Sequence, residues 1–243
     1  PRRSIRAGRR ARHPPHIGGP DGSSLFRSVM GADFDRLHPQ LQRRFDVGLS
    51  TGTACIGHGV MSEIRRGPWW TVPFLQIGRL RNILVPVVGT DVPFTIWNFP
   101  YRDPFGRETV TFVREYRAGG RDRRFDATMV SDGIRIVDYL GTHQHLAVDL
   151  DLTAEPDGSL VLRSDAQRFY EGPIAFRFPM LFSGRATLRE RFDDEDGRFH
   201  VDLRVENERF GFLFGYRGSF TCQWVDADDA PAHLKPRRHE RRL

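Results

Sequence analysis

Residues 210–224 read Phe-Gly-Phe-Leu-Phe-Gly-Tyr-Arg-Gly-Ser-Phe-Thr-Cys-Gln-Trp. Even positions carry Phe210, Phe212, Phe214, Tyr216, Gly218, Phe220, Cys222 and Trp224; odd positions carry Gly211, Leu213, Gly215, Arg217, Ser219, Thr221 and Gln223. Alternation with period two marks a β-strand with one apolar face. The run outlasts an ordinary strand, and its three glycines allow the backbone to bend. It reads as the wall of a barrel or of a sheet curled around something.

The segments before it repeat the pattern. Strands are expected at 53–65, 92–99, 108–117, 123–130, 134–139, 144–153, 159–168, 185–193 and 198–206, most of them joined by tight turns such as Asp132-Gly133 and Asp194-Glu195-Asp196-Gly197. Phe125, Ala127 and Met129 share one face of their strand, as do Leu146, Val148, Leu150 and Leu152, and Phe199, Val201, Leu203 and Val205. Residues 92–99 are apolar on both faces, the mark of a strand covered on both sides. Two short helices precede the strands, one capped by Ser24 and one carrying Leu41 and Phe45. A further amphipathic helix is expected at 73–84, and 173–183 reads as an apolar connection. Consecutive strands with tight turns and no βαβ alternation predict a mostly β fold: an antiparallel, lipocalin-like (calycin-like) barrel or strongly curved sheet of about ten strands. The alternative is a helix-grip (START-like) α+β fold in which helix 73–84 and a curved sheet enclose a cavity.

The net charge of +6 is carried by the ends. Residues 1–19 hold six arginines and no acid, and 233–243 carry +4, which leaves the segment between them at −4. Lys235 is the only lysine, a skew that reads as codon usage rather than selection for phosphate contacts. Residues 1–22 and 227–243 are therefore expected to be solvated, disordered basic tails around one domain at 23–226, with no nucleic-acid partner. No apolar run approaches transmembrane length, and no signal sequence follows the N-terminal arginines, so a cytoplasmic location is expected. Cys55 and Cys222 are too few for a disulfide framework and read as buried free thiols.

Several blocks, in order, carry a resemblance: Leu25 through Phe45 with Gly31, Phe34, Leu37, Pro39 and Leu41; Arg66-Gly67; Phe112-Val113-Arg114-Glu115-Tyr116; Gly197-Arg198-Phe199-His200-Val201-Asp202; and Tyr216-Arg217-Gly218. Over residues 24–222 the chain resembles the bacterial domain of unknown function 4166 family (DUF4166). At the third block the family usually has Trp where this chain has Phe112, and Phe where it has Tyr116. The resemblance implies a bacterial domain, sometimes joined to enzymes with nucleotide-binding domains and here expected to stand alone. It brings no activity, cofactor or catalytic residue.

The residues themselves give a short set of candidates. Arg114 lies between Phe112 and Tyr116 on an apolar strand face, where an unpaired guanidinium is costly. Glu190, alone among Leu188 and Phe192, or Glu108 could neutralise it. Arg114 could equally anchor a ligand carboxylate or phosphate while aromatics hold an apolar body, with Tyr216 orienting it. Phe112, Arg114, Tyr116, Glu190 and Tyr216 are thus the expected ligand-contacting set, against the plainer reading of a buried ion pair and core tyrosines. Trp69-Trp70 could flap over a barrel mouth or pack in the core. His143, His145, Asp149 and Asp151 share a strand face, but that face reads as solvent-exposed decoration, so no metal is expected. No catalytic triad or phosphate loop is present, and no cofactor is expected. The expected function is non-catalytic binding of a hydrophobic small molecule or lipid in a barrel cavity. The alternatives are an enzyme acting on an isoprenoid-like or polyketide-like substrate through Arg114, Glu190 and Tyr216, or an accessory interaction domain.

Overall fold

The computed structural model describes residues 23–68, 88–177, 184–227 and 231–243. The expected helix at 73–84 and Trp69-Trp70 fall outside the described residues.

Ser24 caps helix α1 (Leu25–Met30), its hydroxyl accepting from the Arg27 amide. A 3-10 turn (Gly31–Arg36) leads into α2 (Pro39–Phe45), which starts on a proline and is capped by the His38 ring. Every other long element among the described residues is a strand. In chain order these are β1 (Thr53–Arg66), β2 (Gly89–Asn98), β3 (Pro100–Arg102), β4 (Glu108–Thr111), β5 (Val113–Ala118), β6 (Arg121–Phe125) and β7 (Ala127–Ser131). They continue with β8 (Ile136–Leu140), β9 (Leu146–Ala154), β10 (Leu160–Glu171), β11 (Ile174–Arg177), β12 (Arg185–Asp193), β13 (Arg198–Asn207) and β14 (Gly211–Asp226).

All ladders are antiparallel, and they run in a circle. From β7 each strand pairs with the next through β8, β9, β10, β12, β13 and β14, and β14 then pairs with β1. β1 pairs with β2 and β2 with β5. The β4–β5 run, interrupted only at Phe112, forms one hairpin with β6–β7, held through the break by the Phe112 amide on the Ala127 carbonyl at 2.8 Å. With β2–β3, β4–β5 and β6–β7 each counted as one bent strand, and β11 as a flap on β10, the ladder closes as a ten-strand barrel. This is the calycin-like architecture expected from the sequence; the closed ladder does not match an open sheet gripping a helix.

Two glycines make the closure tight. Gly57 and Gly59 stand on β1 between β2 and β14, and a Cβ on Gly59 would sit 2.1 Å from the Ser219 carbonyl oxygen. With no side chain on this strip, Phe94 and Phe220 meet edge-on across β1 with centroids 5.7 Å apart. Phe199 stacks on Phe220 at 5.3 Å. This wall of the barrel is filled by rings, with Phe94, Phe199, Phe214 and Phe220 all buried.

The aromatic face of 210–224 is shorter than its alternation predicts. A register shift between Val205 and Glu206 breaks the β13–β14 ladder. Beyond it Phe212 lies against the guanidinium groups of Arg65 and Arg204, and Phe210 is exposed. The phenylalanines from Phe214 onward face the core.

The helices close one end of the barrel, its floor. Phe26, Phe34, Leu41 and Phe45 are fully buried there, and Phe112 packs against Phe26 with centroids 5.9 Å apart. The opposite end, the mouth, holds the β5–β6 and β8–β9 turns.

The C-terminal end corrects the expectation from composition. Residues 231–243 run over the outside of the barrel as a strap. Leu234 is buried against Ala54, Phe99 and Val113, which supplies the outer cover that the two-sided apolar pattern of 92–99 calls for. Further along, the Arg237 amide bonds to Thr142 O at 2.8 Å and the Glu240 amide to Gln144 Oε1 at 2.6 Å. Arg107, clamped on Asp103 at 2.7 Å, donates to Glu240 O at 2.6 Å. The Tyr139 and Tyr170 hydroxyls donate to the carbonyls of Arg242 and Leu243. The Glu240 carboxylate is buried, which works against its charge, but bonds from Arg242 and Arg238 overcome this and hold it down at about 2. The basic residues that composition assigned to solvent thus serve as internal partners. Residues 1–22 lie outside the described residues.

Candidate functional site

On one side of the barrel a few inward residues are more accessible than their outward neighbours. Under the strap, the outward residues Val130, Val137, Tyr139 and Ala147 are completely buried and form their own cluster. On the same strands the inward residues Phe125, Asp138, Leu140 and Leu146 are only partly buried. Arg114, inward on the adjoining strand, is partly buried too. Leu140 and Leu146 pair at the β8–β9 turn, where an inward side chain can be reached from that end of the barrel.

Asp138 is the unexpected member. Its neighbours on β8 are Ile136 and Leu140, both on the core face, and its ladder partners are the core residues Met129 and Val148. Its Oδ1 is sealed from solvent and has no hydrogen-bond partner among the described residues. Burial pushes the carboxyl up to about 7, against the opposing pull of Arg114.

Arg114 faces the same space. Its guanidinium lies 5.2 Å from the Phe125 ring centroid and 5.9 Å from that of Phe112, and Nη1 reaches Phe112 O at 3.4 Å. No carboxylate comes within ion-pair distance of it among the described residues. Glu108 accepts the Leu49 amide at 2.8 Å instead. Glu190 is bound by Arg44, which reaches down from α2 into the floor and also donates to Asn98 Oδ1 at 2.6 Å. The expected pairing of Arg114 with Glu190 or Glu108 is therefore not made, because a nearer arginine and a backbone amide already occupy those carboxylates.

Tyr116 and Tyr216 complete the group. Both are buried, with ring centroids 6.3 Å apart, and their phenols share a hydrogen bond. Burial raises both above the ordinary phenol value; for Tyr116 the charge of Tyr216 and the proton it donates push the same way. The structure thus sets Arg114, Tyr116 and Tyr216 together on the inner face of the barrel. It sets Phe112 between Arg114 and the floor, and gives Glu190 a separate partner. Asp138 is added to the set. Its signal was available in the sequence: the Asp132-Gly133 turn fixes the β7–β8 register, and the inward face of Phe125, Ala127 and Met129 then turns Asp138 inward.

Two other expectations are settled by contacts. Asp149, read as exposed decoration, is buried at 5% exposure and held by Arg168 at 2.9 Å and Arg135 at 3.0 Å. His145 is buried and paired with Glu171 at 2.8 Å. Both cysteines are free, Cys55 buried and Cys222 partly so.

The domain of unknown function DUF4166 matches residues 37–220, a span that contains all four lumen residues. The chain belongs to this family. It is also 30% identical over 200 residues to the uncharacterized protein YndH of Bacillus subtilis strain 168, covering 82% of this chain and 96% of that protein. No helix among the described residues is long and apolar enough to cross a membrane.

The buried Asp138 makes a direct stability prediction for this DUF4166 chain. Its carboxyl titrates near 7 in the folded chain and near its ordinary 3.8 when unfolded. The folded state therefore holds the extra proton between those values, and Asp138 lowers stability progressively as pH rises from about 4 to above 7. Asp138→Asn should raise stability by about 2 kcal/mol at pH 8 and change it little at pH 4. Urea unfolding at the two pH values measures the difference; an equal effect at both would contradict this placement of the carboxyl.

Proposed function

We propose that the barrel binds an apolar small molecule in its lumen, with the polar end of the molecule at Arg114, Asp138, Tyr116 and Tyr216. The partial accessibility of Arg114, Phe125, Asp138, Leu140 and Leu146 on the inner face of β5–β9 supports this reading. Ala127, Met129, Ile136 and Val148 beside them are buried, and the opposite wall is packed with rings. Leu140, Leu146 and Phe125 supply apolar contact area, and a few convergent polar groups supply orientation, the usual composition of a small-molecule site. Nothing in the arrangement requires a reaction, and the phenols are held away from the anionic state that proton abstraction would need.

The test is titration with 1-aminoanthracene, an uncharged fluorescent probe of apolar cavities. Saturable binding with one probe per chain is expected. Leu146→Trp, which fills the accessible side, should weaken it at least about tenfold with no loss of cooperative unfolding. Failure of the unmodified chain to bind, or equal binding by the filled variant, would overturn the reading.

A further inference from the structure

We infer that the lumen takes an apolar carboxylic acid, bound as a carboxylate that shares a hydrogen bond with a protonated Asp138 and faces Arg114. This rests on the lumen-binding reading above and adds the chemistry of the head group.

The argument starts from two unmet demands in one place. Arg114 carries a permanent positive charge among rings, with no ion-pair partner among the described residues. Asp138 has a buried oxygen with no hydrogen-bond partner among the described residues. They do not satisfy each other: they interact through space, but no bond forms between them. Ala127, itself buried, is the inward residue between Phe125, which Arg114 overlies, and Met129, which pairs with Asp138, and its methyl is the smallest of the three side chains along the gap between the two groups. A ligand group placed in that gap must accept from a guanidinium and from a carboxylic acid at once. A carboxylate does both: it is acceptor-only, with two oxygens and about four lone-pair sites. An alcohol would leave the Arg114 charge uncompensated. An ammonium would be repelled by it.

Charge decides the protonation state of the complex. With Asp138 protonated, the lumen carries the single positive charge of Arg114, and an anionic head neutralises it. With Asp138 ionised, two carboxylates would share one cation in a low-dielectric space, which is strongly unfavourable. The other charged or titratable groups facing this region do not replace Asp138 in that role. Tyr116 and Tyr216 are held neutral by burial, and Glu190 is neutralised by Arg44. Met129 and Val148, on either side of Asp138, do not titrate. Binding of the acid is therefore linked to one proton, and affinity falls once Asp138 must be protonated against the solution pH.

The experiment compares 12-(1-pyrenyl)dodecanoic acid with the matched alcohol on the unmodified chain from pH 6 to pH 9.5, with 1-aminoanthracene as reporter. Simple carboxylic acids are fully ionised across this range, so any slope belongs to the protein. The acid's dissociation constant should be flat at low pH and then rise about tenfold per pH unit once Asp138 ionises in the free protein, whereas the alcohol's should be level. Asp138→Asn, which donates at every pH, should flatten the acid's curve. Arg114→Gln should weaken the acid at least about tenfold at pH 6.5. If the reporter binds but the acid shows no slope, or the acid and the alcohol bind alike, the head-group inference is wrong and lumen binding survives. If neither reporter nor pyrenyl compounds bind, both readings are wrong.

Discussion

Arg44→Met will cost the fold about 3–5 kcal/mol, and adding Glu190→Leu will restore a large part of that loss. The Arg44 guanidinium is enclosed in the floor, touching Glu190, Asn98 and the Cys55 sulfur, with the Phe220 ring centroid 4.8 Å away. Glu190 is 4% exposed. Removing the arginine strands a carboxylate where water cannot reach it. Removing both charges leaves apolar groups of similar volume among Phe45, Phe199 and Phe220. Urea unfolding of the two single variants and the double variant at pH 7 gives the coupling directly. If the double variant is as unstable as the sum of the singles, the pair is not acting as a unit. The same pair explains why α2 belongs to the barrel: its last turn is fixed to β12 by a buried ion pair as well as by Leu41 and Phe45.

Deleting residues 231–243 will have a still larger effect, about 5 kcal/mol or more, which is most of the stability of an ordinary domain. The strap is bonded to Tyr139 and Tyr170 of one buried cluster and packs Leu234 against Ala54, Phe99 and Val113 of another. Several of these would lose roughly 1.5–3 kcal/mol of burial each if exposed. The deletion also takes away the acceptors for Tyr139, Tyr170 and Arg107 and leaves Gln144, at a left-handed φ of 52°, without its strap partner. Loss of a cooperative thermal transition, together with binding of a dye that recognises exposed apolar surface, is the expected result. In the full-length chain, Leu234→Ala should cost about 2–4 kcal/mol by cavity formation alone. A truncated protein that melts within a few degrees of the intact one would show that the strap is not structural.

Much of the barrel was legible in the sequence because its strands alternate strictly and its turns carry Asp-Gly and related signals. The inward faces of the strands holding Phe125, Leu146 and Phe199 follow directly from alternation. The breaks at Phe112 and Asp126 do not, because a bent strand and a straight one have the same period. The failure at Phe212 has the same origin, since a register shift moves a ring to the other face without altering the pattern. The strap was hidden for a different reason. Lys235, Arg237, Arg238, Arg241 and Arg242 look like solvated charge, and only residues distant in the chain, such as Tyr101, Thr142, Tyr170 and Glu171, show that this segment has partners. Site residues divide along the same line. Arg114, Tyr116 and Tyr216 stood out as polar groups on apolar faces. Asp138 did not, because Val137 and Tyr139 make both faces of its strand apolar, and only the register of the Asp132-Gly133 hairpin turns it inward. Arg44 did not either, because one arginine on a short helix looks like any other.

The circular ladder has a consequence for how the molecule is made. Its closing seam sets Thr53 opposite Asp226, so the two most distant strands in the chain are immediate neighbours. Neighbouring hairpins can assemble early from local contacts, but this seam has to wait for the ends to meet, at the full entropic penalty of a long loop. Barrel folding should accordingly lie on the slow side of the range for single domains, with the glycine-lined seam forming late. Until it forms there is no enclosed interior. A molecule bound inside the barrel, as proposed above, would recognise only the finished fold, and its mark would be slower unfolding rather than faster folding.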